Sequence, residues 1–244
     1  MDIRSQVWSP LQNTSVWLGA WLYGLTSTDH LIDALNDLGS QELIDALRDL
    51  RRVTRDVAPG EPLLRLVLSG PGDAPALRAG SASATAASKS TGNAIVVRDR
   101  DPLTSHVLVP DSSGHWEWFT EDQPLPAPAW LSPGEADHLL TQATDEATRL
   151  IETSGYRTDA LRSPRLTVGT LADFYDTPGL PESVPPRAAR LFARADNVAA
   201  IIETVTTRMN DHRLDPQLLG LWRHIRQARM AGVAYAVGEF GRLS

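Results

Sequence analysis

Between residues 185 and 240, apolar side chains recur at steps of three and four: Ala188, Leu191, Ala195, Val198, Ile201, Ile202, Val205 and Met209. That spacing lays them on one face of an α-helix. Pro185 and Pro186 stand at its start, where a missing amide costs nothing and the fixed φ suits the first turn. Residues 210–214 are polar and break the pattern. Asp215-Pro216 restarts it, with a carboxylate to cap the orphan amides and a proline at the first helical position. Leu218, Leu219, Trp222, Ile225, Val233 and Val237 carry the apolar face on towards Phe240. The short connection predicts two antiparallel helices, a C-terminal hairpin.

The N-terminal pattern is also helical. Asn13-Thr14-Ser15 offers a cap, and Val16, Trp17, Ala20, Trp21 and Leu25 predict a short, very apolar helix. An internal echo follows. Residues 31–38 (LIDALNDL) and 43–50 (LIDALRDL) match at seven of eight positions, twelve residues apart. In one straight helix that offset turns the second copy by roughly 120°, so the two apolar faces would diverge. Gly39-Ser40 between them supplies a stop and a new cap, which predicts two helices. Two copies fall short of a repeat array.

From Pro62 the period shortens. Residues 63–68 read as a strand that ends in the turn signal Ser69-Gly-Pro-Gly-Asp73, with residues 76–78 as its hairpin partner. Residues 80–92 are small and polar and read as a flexible loop. Strands are expected at 94–98, 106–109 and 115–120, close enough together to be antiparallel neighbours. Aliphatic side chains fall on both faces of the middle strands, which predicts cover on both sides of the sheet. Ser132-Pro133 opens another helix, with Ala136, Leu139, Leu140, Ala143, Ala147, Leu150 and Ile151 on one side and an acidic surface on the other. Residues 171–175 are read as a short helix.

This order predicts an α+β fold: N-terminal helices over 1–58, a central antiparallel sheet of four to five strands over 60–122, and a helical segment over 132–244. The whole is read as a single domain, 1–244.

Charge divides the chain. Residues 185–244 hold nine Arg against five acids, a net of +4, while the whole chain carries −7, so residues 1–184 carry −11. The absence of cysteine excludes disulfides, thiolate catalysis, Fe–S clusters and cysteine zinc sites. The longest apolar run, residues 16–25, is too short to span a bilayer. It has only Arg4 before it and no small-residue cleavage site after it, so no leader is expected. These features predict a cytoplasmic protein with no membrane and no nucleic-acid partner.

Candidate chemistry is sparse. Residues 83–90 have the length and the Lys-Ser end of a phosphate loop, but serines stand where both glycines are needed. Glu135-x-x-His138 is half of a di-iron pattern and lacks its second half, so no metal or cofactor is expected. No histidine lies in a nucleophile-elbow pattern, so no catalytic residue is assigned. Arg187, Arg190 and Arg194 fall at i, i+3 and i+7, which aligns three guanidinium groups on one helix face. They are read as facing an acidic partner, an anionic ligand, the acidic helix at 133–152 of the same molecule, or simply solvent. Trp116 and Trp118 flank Glu117 on a strand and read as core, interface or a stacking shelf.

Residues 64–73, Leu-Arg-Leu-Val-Leu-Ser-Gly-Pro-Gly-Asp, precede the run Val184-Pro-Pro-Arg-Ala-Ala-Arg-Leu191 and its Ala/Ile-rich helix. Together these resemble a pattern in uncharacterised proteins of high-GC actinobacteria, across residues 60–240. The resemblance implies a sheet segment with a Gly-Pro-Gly-Asp turn ahead of two helical segments. It implies no activity, and the loop at 81–91 departs from it most.

Seven tryptophans without a catalytic constellation favour a non-enzymatic interaction or adaptor protein, binding a protein partner or itself as a homodimer. Its surface would be Arg187, Arg190, Arg194, Trp116 and Trp118. The alternative is a binder of, or enzyme acting on, a small anionic metabolite, held by those residues in a pocket between the sheet and the C-terminal helices.

Overall fold

The computed structural model describes residues 9–58, 60–71, 73, 76–111, 113–128, 130–153, 179–209 and 215–244. The short helix expected at 171–175 and the polar connection at 210–214 lie outside these residues. Three helices come first: α1 (Pro10–Leu22), α2 (Thr28–Asp37) and α3 (Leu43–Thr54). Then follow β1 (Leu64–Val67), α4 (Ala82–Lys89), β2 (Ala94–Arg98), β3 (Ser105–Pro110) and β4 (Trp116–Glu121). Helices α5 (Pro133–Thr153), α6 (Pro186–Met209) and α7 (Asp215–Leu243) complete the α+β fold. Among the described residues no helix is long and apolar enough to cross a membrane.

The echo at 31–50 forms two helices, as its diverging faces require. Gly39 supplies the stop at φ +68°, a conformation that favours glycine. Ser40 does not cap α3. Its hydroxyl lies 3.2 Å from that of Thr14 on α1, in the interior. Helix α1 begins earlier than expected, because Ser9 accepts from the Gln12 amide and Pro10 takes the first position. Thr14 and Ser15 therefore lie inside the helix, where Ser15 donates back to the Leu11 carbonyl at 2.7 Å.

The strands form a simple antiparallel meander in the order β1-β2-β3-β4. One face carries Leu64, Leu66, Ile95, Val97 and Leu108 against the N-terminal helices and the facing ends of α6 and α7. The other carries Val67, Val96, Val107 and Val109 against Leu77, Ala87 and Leu125. Both faces are covered, as the aliphatic pattern predicts. The second cover, however, comes partly from a segment read as a flexible loop. Residues 82–89 are helical because Ser81 caps the Ala84 amide at 3.1 Å, the run is alanine-rich, and Ala87 has an apolar face to bury on. A buried chain of Ser81, Ser83 and Glu121 ties this helix to the end of β4, Ser83 donating to the carboxylate at 2.6 Å.

Residues 76–78 do not pair with β1. They cross the sheet face instead, with Leu77 in its core, and among the described residues β1 keeps an open edge.

Helices α5, α6 and α7 share a third core of Ala136, Leu140, Leu191, Ala195, Val198, Leu221, Trp222 and Ile225. Ser132 and Glu135 cap α5 reciprocally, at 3.2 and 2.8 Å, so the acid of the Glu-x-x-His pair is engaged as a capping box. Two contacts set the hairpin antiparallel: Phe192 against Gly232, and Asp196 with Arg229 at 2.6 Å. One expectation fails: Ile201 is 47% exposed. Its neighbour Ile202 is buried instead, since a helix turns by about 100° per residue and at this point that step carries position 201 off the face that meets the bundle.

Candidate functional site

A cavity of about 300 Å³ lies along β1, between that strand, α7 and the proline-rich connector at 124–131. Its walls are mostly apolar: Leu63, Leu64, Leu66, Leu125, Trp130, Met230, Ala231 and Ala234. The charged groups at the wall are Arg65, Arg98 and Asp73. An apolar concavity with few polar groups is the usual form of a ligand site, and this one is at the small end of the range.

Asp73 is already committed. Arg226 of α7 donates to it through Nε at 2.6 Å, and its Nη2 donates to the Pro71 carbonyl at 3.1 Å. The guanidinium lies flat against Gly70, where an added Cβ would come within 2.4 Å of Cζ. Gly70, the Pro71 carbonyl and Asp73 therefore form a socket for an arginine from the C-terminal helix. Glycine opens the socket, a carbonyl and a carboxylate line it, and α7 is anchored beside the cavity.

Arg98 is paired with Glu61 at 2.7 Å. Arg65 differs. Its guanidinium donates to the carbonyls of Pro126 at 3.0 Å and Ala76 at 3.2 Å. Among the described residues no carboxylate pairs with it. Burial pulls its pKa below the usual arginine value, and the Arg98 cation adds to that. A guanidinium has five N–H donors, and two carbonyls leave the others available. The site thus presents a partly desolvated cation, without a counter-charge, at an apolar wall.

A second polar cluster sits on the opposite sheet face. Asp99 accepts from His106 Nε2 at 2.9 Å, and Trp118 Nε1 donates to His106 Nδ1 at 3.2 Å. Burial lifts the Asp99 carboxyl, but the Asp101 amide, the His106 ring and the Arg100 charge outweigh it and hold the group below its ordinary range. With Nδ1 occupied by an indole, the imidazole has no free nitrogen to serve as a base. The cluster fastens β2, β3 and β4 together.

None of the five residues singled out from the sequence lines the cavity. Trp116 and Trp118 are half-buried against the core on the helix-covered face. Arg194 binds α5, through Asp137 at 3.2 Å and Thr141 at 2.7 Å. Arg187 and Arg190 are exposed on α6 and make no ion pair among the described residues. Arg65 and Arg98 escaped sequence reasoning. Their signal was a lone cation inside one aliphatic strand and at the end of another, where both faces of the sheet are otherwise aliphatic.

Two family models match the chain in tandem. The Rv1486c-like protein N-terminal domain matches residues 12–130, and the C-terminal domain matches residues 134–230. The chain is 26% identical to the uncharacterized protein Rv1486c of Mycobacterium tuberculosis (strain ATCC 25618 / H37Rv), over 93% of this chain and 96% of that one. It is also 26% identical to the uncharacterized protein ML1804 of Mycobacterium leprae (strain TN), over 93% and 97% respectively. No solved structure matches.

Proposed function

The chain belongs to the Rv1486c-like proteins, and from that premise we propose that it is a binding protein whose cavity on β1 takes an anionic ligand with an apolar body. The relatives' names assign no activity, so the reading rests on geometry. Arg65 carries it: a guanidinium at an apolar wall, bonded among the described residues to carbonyls alone, gains most from a carboxylate or phosphate.

A thermal-shift screen of carboxylated and phosphorylated metabolites tests it. A ligand at a hundred times its Kd stabilises the native state by about 2.7 kcal/mol. Arg65→Gln is expected to weaken binding on the order of 10- to 100-fold, the loss of a charge-assisted hydrogen bond, while the melting curve without ligand stays cooperative. The reading is wrong if no anion in the screen shifts the melt, or if Arg65→Gln binds as the parent does.

One observation favours a second reading, the adaptor with a protein partner or a second copy of itself. Arg187 and Arg190 stand exposed side by side on α6 with no acid on them among the described residues. Sedimentation of the parent and of Arg187→Glu with Arg190→Glu tests the self-association branch. A dimer that dissociates on charge reversal supports it, and a parent that stays monomeric across the concentration range removes it.

A further inference from the structure

The cavity wall formed by β1 is an open sheet edge. In an antiparallel pair, residues alternate between those bonded to the neighbour and those turned away from it. The Arg98 amide donates to the Leu63 carbonyl at 2.9 Å, and Leu64 lies opposite Val97. Leu63, Arg65 and Val67 are therefore the residues bonded to β2. Leu64 and Leu66 turn their amides and carbonyls to the open side. No main-chain partner meets them there among the described residues.

That edge lines the cavity and touches little bulk water. Leu64 is 2% and Leu66 5% exposed. Buried main-chain groups without partners are costly, and native chains pair nearly all of them. The chain's own connector does not fill the edge: residues 124–128 form no strand, and among the described residues no main-chain hydrogen bond joins them to β1. On the α7 side, the Leu68 amide meets the Met230 sulfur at 3.3 Å, and Ala231 and Ala234 line the cavity. The slot thus offers alternating donors and acceptors at strand spacing, an apolar lining and one cation.

We infer that the ligand is an extended peptide segment that adds to β1 as a fifth strand, with an acidic side chain opposite Arg65 and apolar side chains on either side of it. This rests on the anion reading of the same cavity. The added strand would bond to Leu64 and Leu66, the pairing that strand-addition sites use. Residues directly opposite on neighbouring strands project to the same face, so the group opposite Arg65 meets its guanidinium. The flanking side chains project to the other face, that of Leu64 and Leu66. Charge complementarity at Arg65 thus selects the centre of the motif, and the lining selects its flanks.

The test uses the full chain and acetylated, amidated pentapeptides of the order Ser-Val-Glu-Val-Ser, with Leu and Ala versions of the flanks. Binding is read by calorimetry and by the exchange rates of the Leu64 and Leu66 amides. The expected result is binding that slows exchange at both amides. Gln in place of Glu weakens binding roughly tenfold or more, and Arg65→Gln erases that difference. N-methylation at alternate peptide amides abolishes binding in one register and leaves it intact in the other. Glutarate and hexanoate separate this inference from the reading beneath it. If they bind and the peptides do not, or if both N-methylation registers bind equally, the anion site stands and strand addition is overturned. If neither the carboxylates nor the peptides bind, both fall.

Discussion

Asp73→Ala is expected to lower the unfolding free energy by about 3–5 kcal/mol, because it strands a buried cation. The side chains of Asp73 and Arg226 are 6% and 11% exposed, and their Oδ2 and Nε lie 2.6 Å apart. Arg226 cannot swing out to water without leaving the Pro71 carbonyl and the surface of Gly70. Arg223, at 3.9 Å from the other carboxylate oxygen, adds a second cation that loses its partner. For a chain of this size each kcal/mol moves Tm by about 2–4 °C, so a fall of roughly 10 °C is the readable outcome. The double variant Asp73→Ala with Arg226→Met removes both charges and is expected to recover much of the loss, since discharging a buried pair costs far less than breaking it. A single variant within about 1 kcal/mol of the parent would show that the socket is already hydrated.

That socket marks how far the sequence could be read. Gly-Pro-Gly-Asp is legible as a turn, because its residue types force one locally. Its second role needs an arginine 153 residues away. The arginine row on α7 shows the same limit. Arg223, Arg226 and Arg229 step down the helix by threes, a spacing that drifts around the axis and looks like a solvated face. Two of them are interior: Arg226 in the socket, and Arg229, 2% exposed, on Asp196. Charge alone suggests surface, and only the positions of the acids on other elements reverse it.

Periodicity was informative where one element has one face to bury. It gave the two helices of the echo, the strands after residue 94 and the C-terminal hairpin. It failed where two local signals compete. Residues 82–89 combine small polar side chains, which suggest a loop, with an alanine run and a serine cap, which suit a helix. The apolar sheet face beneath Ala87 decides between them. The cavity was illegible for a further reason. It exists because residues 76–78 cross the sheet instead of pairing with β1, and nothing in that tripeptide announces it. The arginines at 187, 190 and 194 do align on one face, but among the described residues Arg194 alone meets the acidic helix α5.

The crossing of α6 and α7 gives the second large effect. Phe192 is buried in the core that joins the sheet to the N-terminal helices, and its ring lies on Gly232. A Cβ at 232 would come within 2.3 Å of one ring carbon and 3.0 Å of two more. Glycine costs a helix interior about 1 kcal/mol against alanine, so its presence there is explained by this contact. Phe192→Ala is expected to cost about 3–5 kcal/mol, since the surrounding core cannot close over the lost ring. Gly232→Ala gains helix propensity but overpacks the crossing by about 1–3 kcal/mol, so a net destabilisation is expected. The two positions are coupled, and the sign of the coupling is the test. In Phe192→Ala the space beside residue 232 is empty, so adding Gly232→Ala should restabilise that background, with an interaction energy of about 1 kcal/mol or more in denaturant melts. Two losses that simply add would mean that the helices separate at this point and the ring does not wedge against α7. The α7 backbone beside Met230 and Ala231 would then be free to shift, and the width of the slot on β1 would shift with it.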